Sequence, residues 1–426
     1  MLLGETAKNT LVVFSGNLLL AASGVLTLSI VSRQIGPAGL GIFSIAFSVF
    51  LNSARFTDLG LHFAFTRYAA KYNSAADSSR VSQYFKSCLK MKMVLLIPTM
   101  LIGFLTAPRL AQSVFHAPEA APLMRIAFLG LFSLMFFDYF TVTLQALQKF
   151  IQSILMGCIP AIVKLLSLGI LFVTCGFSAI QAFTIYVFTP ILGVPYAIKK
   201  LRENILWKEK LSDPDISKSL IQFGKWAGAG ILFSSISGNL DVYVIANRLT
   251  THDVGIYSAA YRLASIFLVL AGSIGTVLVP RASSFSSIDQ LKSFLKKSIL
   301  LILGLIVLLL AILPVSKWVI LLTVGSQFRE SIPMFQILCA AMVLTAITSP
   351  LNSSFFALDH PQYLAVSSLI HMCLFLFLNL HFIPKWGAWG AGLALLITNV
   401  IILVFTVIYL AALLKYKQPT SNPSNE

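Results

Sequence analysis

Six charged side chains stand inside long apolar runs of the sequence: Arg55, Asp58, Asp138, Lys164, Asp241 and Arg262. A charge at the centre of a helix facing hydrocarbon costs about 2.5–3.5 kcal/mol, so each of these needs a partner, water or a ligand. Arg55 and Asp58 are three residues apart, on one face of a helix, where they either pair with each other or line a shared site. Asp241 and Arg262 lie in successive runs at depths where they could meet as a pair. Lys164, in PAIVKLLSLGILF, has no acid within four residues. It is served by a water-lined cavity and an anionic ligand, or else by Asp138 of the preceding run.

The elements that must carry these groups follow from composition. The chain has 426 residues, 57% of them hydrophobic and 11% charged, which is a membrane protein's balance rather than a soluble surface. Twelve apolar runs can be read, at 10–31, 39–60, 87–107, 122–145, 152–175, 179–199, 220–246, 254–278, 297–321, 332–357, 362–383 and 388–414. Each is long enough for a helix to cross a hydrocarbon core of about 30 Å. They lack the alternation of β-barrel strands, so helices are expected throughout. Ala21-Ala22-Ser23 could pass for a signal-peptide cleavage site, but the run continues to Ile30 and reads as a first membrane helix.

The net charge of +16 raises the question of a nucleic-acid partner, and its distribution answers it. With the N-terminus in the cytoplasm, the outward side receives only Arg33, Arg109, Arg125, Arg248, Lys317, Arg329 and Lys385. The cytoplasmic side receives most of the rest, including Arg67, Lys71, Lys86, Lys90, Lys92 and the basic cluster from Lys199 to Lys225. This is the positive-inside bias, and no nucleic acid is needed to explain it. Both termini are expected in the cytoplasm, with a disordered tail rich in Ser, Asn and Pro. There is no P-loop and no H-E-x-x-H, and Cys88, Cys158, Cys175, Cys339 and Cys373 form no metal-ligand pattern, so neither an enzyme nor a metal site is expected.

The chain also repeats itself. Gly41, Ile42, Ser44 and Ala46 in LGIFSIAF recur as Gly255, Ile256, Ser258 and Ala260 in VGIYSAAY, and Ser23-Gly24 recurs as Ser237-Gly238 in the same register. Lys86-Ser87, Pro122 and Ala146-Leu147 recur as Lys297-Ser298, Pro333 and Ala357-Leu358 after a three-residue shortening. The expected architecture is an all-α membrane protein of twelve transmembrane helices in two six-helix bundles related by a parallel repeat. The first bundle spans 1–205, a cytoplasmic linker 206–218, the second bundle 219–415 and the tail 416–426. Parallel repeats are a transporter plan, with a substrate site between bundles that rock. Arg33 and Arg248, near equivalent places in the outer loops, are candidates for the rim of that site's outer mouth.

The phrases QIGPAGLGIFSIAF, FTDLGLHFAFTRYAAKY, LQALQKF and GNLDVYVIANRLTTHDVGIYSAAYRL resemble the polysaccharide transporter branch of the multidrug/oligosaccharidyl-lipid/polysaccharide exporter superfamily. Length and layout resemble its Wzx-type O-antigen flippases, with a MATE-like fold. The resemblance implies a flippase that carries a polyprenyl-pyrophosphate-linked oligosaccharide from the cytoplasmic to the outer leaflet of a bacterial inner membrane. Polysaccharide polymerase and chain-length machinery would be its partners. It implies a cationic central cavity to which Lys164, Arg55 and Arg262 would contribute. Asp241 and Arg262 match the family's acidic position after Asn-Leu and its basic position in Tyr-Arg-Leu. It implies no cofactor, with a proton or sodium gradient as the candidate driving force. Two rivals stay open: an ion-coupled exporter of small cations, which Asp58 and Asp138 would suit, and a membrane polymerase or glycosyltransferase, which should carry a large outer loop that this sequence lacks.

Overall fold

The computed structural model describes residues 2–202, 204–206, 214–268, 288–357 and 362–416. Among these residues every regular element is helical and there is no strand. Most of the expected linker and tail, and the part of the eighth run beyond residue 268, lie outside the described residues.

The chain begins with α1, Leu2–Asp58, which leaves helical geometry at Gly36, with φ 66° and ψ −176°. Its apolar stretch, Ser15–Asp58, has 44 residues. At 1.5 Å per residue that is about 66 Å, enough for two passes of a core about 30 Å thick. The break supplies the division between them. A positive φ is open to glycine at no steric cost, and Pro37, whose φ is fixed near the helical value, starts the next helical segment.

Gly60, at φ 79°, leads into α2, Leu61–Ser74. Then come α3 (Ser78–Arg109), α4 (Ala121–Ala146), α5 (Phe150–Thr174) and α6 (Ala179–Phe188). The helix stops before Pro190 and continues as a 3-10 turn, Thr189–Gly193, into α7, Val194–Leu201. Ser133 of α4 repairs that interruption: its hydroxyl accepts from the Ile191 amide at 3.0 Å and donates to the Phe188 carbonyl at 3.2 Å. An unpaired backbone group in hydrocarbon costs several kcal/mol, so a broken membrane helix requires a neighbour of this kind.

The second half comprises α8 (Pro214–Ser237), α9 (Leu240–Arg248), α10 (Thr251–Ala264), α11 (Ile288–Thr323), α12 (Ser331–Ala357), α13 (Gln362–Trp386) and α14 (Ala388–Tyr416). A capping box between Thr250 and Asp253 starts α10. Among the described residues, nine helices are long and apolar enough to cross a membrane. Against the twelve expected runs, the first two share α1, the seventh is cut at Gly238-Asn239 into α8 and α9, and the eighth continues outside the described residues after residue 268.

The core and the lipid face separate cleanly along the helices. In the first half, Phe65, Phe85 and Tyr139 are fully buried and in ring contact, and the Tyr139 hydroxyl donates to the Phe85 carbonyl at 2.6 Å. On α3, Val94, Ile97, Leu101 and Leu105 are exposed at helical spacing, the pattern of a face turned to lipid. The second half of α1 joins the two halves of the chain. Near one end it crosses α10, where Gly41 meets Gly255, and at the other Gly60 meets Gly224 and Gly228 of α8. Only backbones fit at these crossings.

Candidate functional site

Two cavities accompany α1. The first, about 210 Å³, is lined by Gly24, Thr27, Leu40 and Phe43 of α1, Tyr186 of α6 and Arg262 of α10. Lys164 of α5 packs on one of these lining residues, its Nζ 4.0 Å from the centroid of the Tyr186 ring. The Arg262 guanidinium lies 4.8 Å from the Phe47 ring and 5.5 Å from that of Phe43. Tyr186 meets both phenylalanines edge-on, at 5.6 and 5.2 Å. The two cations are therefore held on different rings of one aromatic cluster, each against a π face.

Among the described residues no carboxylate lies within ion-pair distance of Lys164 or Arg262. Ring faces compensate positive charge only in part, so this end of the cavity presents cationic potential in a low-dielectric setting. It is suited to an anion.

The second cavity, about 200 Å³, lies toward the Asp58 end of α1 and is lined by Arg55, Asp58, His62, Lys92, Asp138 and Thr141, among others. Asp58 is buried and holds two partners, Lys92 on one carboxylate oxygen and His62 on the other. Arg55, the partner the spacing offered to Asp58, turns instead to the open cavity, as does Asp138. Phe43 and Arg55 are twelve residues apart on one helix, so about 18 Å of α1 separates the two cavities.

The remaining candidates lie elsewhere. Asp241 is buried, accepting from the Tyr257 hydroxyl at 2.5 Å and the Val242 amide at 2.8 Å. Arg262 is thus engaged with aromatic rings and Asp241 with a tyrosine. At the Gly36 end, Arg33 donates from Nη2 to the Leu322 carbonyl at 2.5 Å and from Nε to the Thr323 carbonyl at 3.2 Å, where α11 ends. Ser29 Oγ donates to the same Thr323 carbonyl at 2.5 Å. Orphan carbonyls at a helix C-terminus favour a cation. Arg248 is exposed in the last turn of α9. Asn247, at Arg33's place in the repeat register, makes the corresponding contact, its Nδ2 donating at 2.8 Å to the Val114 carbonyl beyond α3.

Sequence reasoning missed several participants. Lys92, assigned to the cytoplasmic side although it falls inside the 87–107 run, lies well within α3 and packs on Asp58. His62, Tyr186 and Asn52 carried no local signal. Asn52 accepts from Ser235 Oγ at 2.8 Å and from Asn239 Nδ2 at 3.3 Å, and donates to the Tyr243 hydroxyl, so one side chain of α1 holds both sides of the α8–α9 break.

A family model described as polysaccharide biosynthesis protein matches residues 6–286, well over half of the chain. The chain belongs to that family. A curated relative, the probable low-salt glycan biosynthesis flippase Agl15 of Haloferax volcanii, is 26% identical over 209 residues, covering 47% of this chain and 43% of its own. The match thus spans less than half the length of that relative. Among solved structures, an inward-facing multidrug resistance MATE family transporter of the MOP superfamily aligns with a TM-score of 0.78 at 14% identity, over 96% of this chain and 99% of that one. The lipid II flippase MurJ in an inward closed conformation aligns with a TM-score of 0.73 at 14% identity, over 93% and 87%. At such identity these likenesses establish the fold, which is MATE-like. The polysaccharide family and its relatives belong with transport proteins rather than enzymes.

Proposed function

We propose that the protein is a flippase for a polyprenyl-pyrophosphate-linked oligosaccharide, of the O-antigen kind, moving it from the cytoplasmic to the outer leaflet by alternating access between two six-helix bundles. The observation that carries this reading is the Lys164–Tyr186–Arg262 arrangement: Arg262 and Tyr186 line the first cavity, Lys164 packs on the Tyr186 ring, and neither cation has a carboxylate in reach among the described residues. A pyrophosphate needs such charge, and the lipid tail can stay in the bilayer while the headgroup crosses. The cavity's 210 Å³ is below the roughly 300–1,000 Å³ of pockets for drug-sized ligands, so an oligosaccharide enters only when the bundles part.

The bundle boundaries (1–205 and 219–415, with the linker at 206–218), the twelve passes and the cytoplasmic termini belong to the same reading. The repeat register supports it, because Gly41 and Gly255 meet as equivalents. By the Lys and Arg bias the Gly36 end faces outward, and there Arg33 and Asn247 each tie one half to the other. In this arrangement the outer side is closed. An exporter of small cations gains little support: in the second cavity Arg55 and Lys92 already match Asp58 and Asp138 in number.

Expression in a bacterium lacking its own flippase, supplied with defined oligosaccharide pathways, tests the reading. Surface polysaccharide should return with at least one of them and be lost again with Lys164→Ala at unchanged membrane protein level. Failure of every pathway, with the protein inserted, would reject it.

A further inference from the structure

The α8–α9 break is held from its other side by a buried polar chain that the flippase reading leaves unused. His371, near the middle of α13, has Nδ1 2.8 Å from Ser237 Oγ, the last residue of α8, and Nε2 3.3 Å from Asn399 Oδ1 of α14. Asn399 Nδ2 donates to the Ala341 carbonyl and to Thr345 Oγ1 of α12, both at 2.9 Å. Four helices meet on one imidazole and one amide.

Hydrogen-bond polarity fixes one of the imidazole's two nitrogens. The Ala341 carbonyl can only accept, so the Asn399 amide nitrogen must face it and the amide oxygen must face His371. That oxygen also only accepts, so Nε2 carries a proton. Nδ1 faces a hydroxyl that can play either part: in the neutral imidazole it accepts the Ser237 hydrogen, and in the imidazolium it donates to Ser237 Oγ.

Among the described residues no charge compensates it. Facing it are Ser237 from α8, Asn399 from α14, Thr345 of α12 through Asn399, and the Phe375 ring of its own helix at 5.7 Å. On α9, Asp241 is engaged by Tyr257 and Tyr243 by Asn52, while Arg248 is exposed in the helix's last turn.

We propose that His371 is the site of a coupling proton, read by Ser237 at the joint between the two halves of the chain. Hydronium on one side gives up a proton to the Nδ1 lone pair, leaving water and an imidazolium; the proton returns to water on the other side. Once Nδ1 carries a proton it must donate, so Ser237 Oγ must accept and turn its own hydrogen into the last turn of α8. The carbonyls there are already taken: Ser234 by the Gly238 amide at 3.0 Å, Ile236 by the Asn239 amide at 3.1 Å, and Ser235 by Asn239 Nδ2 at 3.2 Å. A new donor competes with the bonds that shape the break, and a serine bonded back into its own helix bends it. Asn239 and Ser235 also hold Asn52 of α1, so the change reaches the other half directly. Histidine is the side chain whose protonation physiological gradients can drive, and ionisable groups within membranes serve as proton relays.

The proposal rests on the transport reading, and two measurements separate them. The first needs no substrate: imidazole-labelled protein in lipid nanodiscs, titrated by NMR, with His371→Gln identifying its signal among the six histidines. The signal should start as the tautomer protonated at Nε2 and take up a second proton as the pH is lowered. A His371 signal that takes up no proton at any pH where the protein stays folded would overturn the proposal. The second follows a fluorescent polyprenyl-pyrophosphate-linked saccharide in proteoliposomes with and without a gradient of about one pH unit, which can bias a one-proton step by at most about tenfold. Wild type should be stimulated several-fold, whereas His371→Gln and Ser237→Ala should both give a ratio near one, with Ser237→Ala keeping the NMR titration. Persistent stimulation in either variant, or none in wild type, would overturn the coupling. A wild type that moves no probe at all counts against the flippase reading, and the titration still decides the proton site.

Discussion

Gly41 and Gly255 approach each other as mirror images of one contact. A Cβ added to Gly41 would stand 1.7 Å from the Thr251 carbonyl oxygen, and one added to Gly255 would stand 1.8 Å from that of Pro37. Thr251 and Pro37 each precede their glycine by four residues, so the same helical turn in each half presses on the other's backbone. Ser44 and Ser258, three residues further on in each copy, are both buried without a hydrogen-bond partner among the described residues. Gly41→Ala and Gly255→Ala should therefore each force α1 and α10 apart, at a cost at or above the usual 1–3 kcal/mol for overpacking. Thermal unfolding of the purified protein checks this; a change within error would mean the crossing opens freely.

Neutralising either cation of the first cavity should impair transport while the protein still inserts. Lys164→Gln and Arg262→Gln each remove a charge-assisted contact to an anion, worth about 1.5–3 kcal/mol, or roughly ten- to a hundredfold in rate. Tyr186 acts through its ring, so Tyr186→Phe should be mild and Tyr186→Leu should lose the cation–π platform, about 0.5–2 kcal/mol. The order of flipping rates among these four variants is the measurement.

Lys164 stands out in the sequence because a lysine in mid-run with no acid within a helical turn has few bland explanations, whereas Arg262 offered itself as a partner for Asp241, which the structure gives to Tyr257. The duplicated glycines Gly41 and Gly255 were legible as a pair, and they fall where only glycine fits. Tyr186, one aromatic residue among many, gains its role from Lys164 and Arg262, which reach it from other helices. Lys92 carried no mark of its contact, because hydropathy shows only that the run around it is apolar. Its partner Asp58 lies 34 residues away in sequence, beyond any local pattern. Helix ends, breaks and cross-helix bonds depend on packing, and packing is where the sequence signal stops.

Removing Arg33 should loosen the end of the molecule proposed to face outward. Arg33→Ala leaves the Leu322 and Thr323 carbonyls at the end of α11 without their cation, and Asn247→Ala does the same for Val114. Each contact is worth about 1 kcal/mol, so the closed population should fall up to about fivefold per substitution. Labelling of a single cysteine at Thr27, in the first cavity, by an impermeant reagent added from outside should speed up accordingly. Both variants should act in the same direction, because equivalent positions hold the two halves together.

The Asp58–Lys92 pair separates a structural role from a transport role. Both groups are buried, and removing one partner of such a pair leaves a desolvated charge, typically at 3–5 kcal/mol, whereas replacing both by neutral groups of similar volume is often harmless. Asp58→Asn alone should therefore reduce the inserted protein sharply. Asp58→Asn combined with Lys92→Met should restore it to within about 1 kcal/mol of wild type, although His62 then loses its carboxylate partner. If the cluster only holds α1 to α3, the double variant should also restore flipping. Full insertion with no flipping would instead make Asp58 and Lys92 part of the path, and would draw the second cavity into the route of the headgroup from the Asp58 end to Lys164.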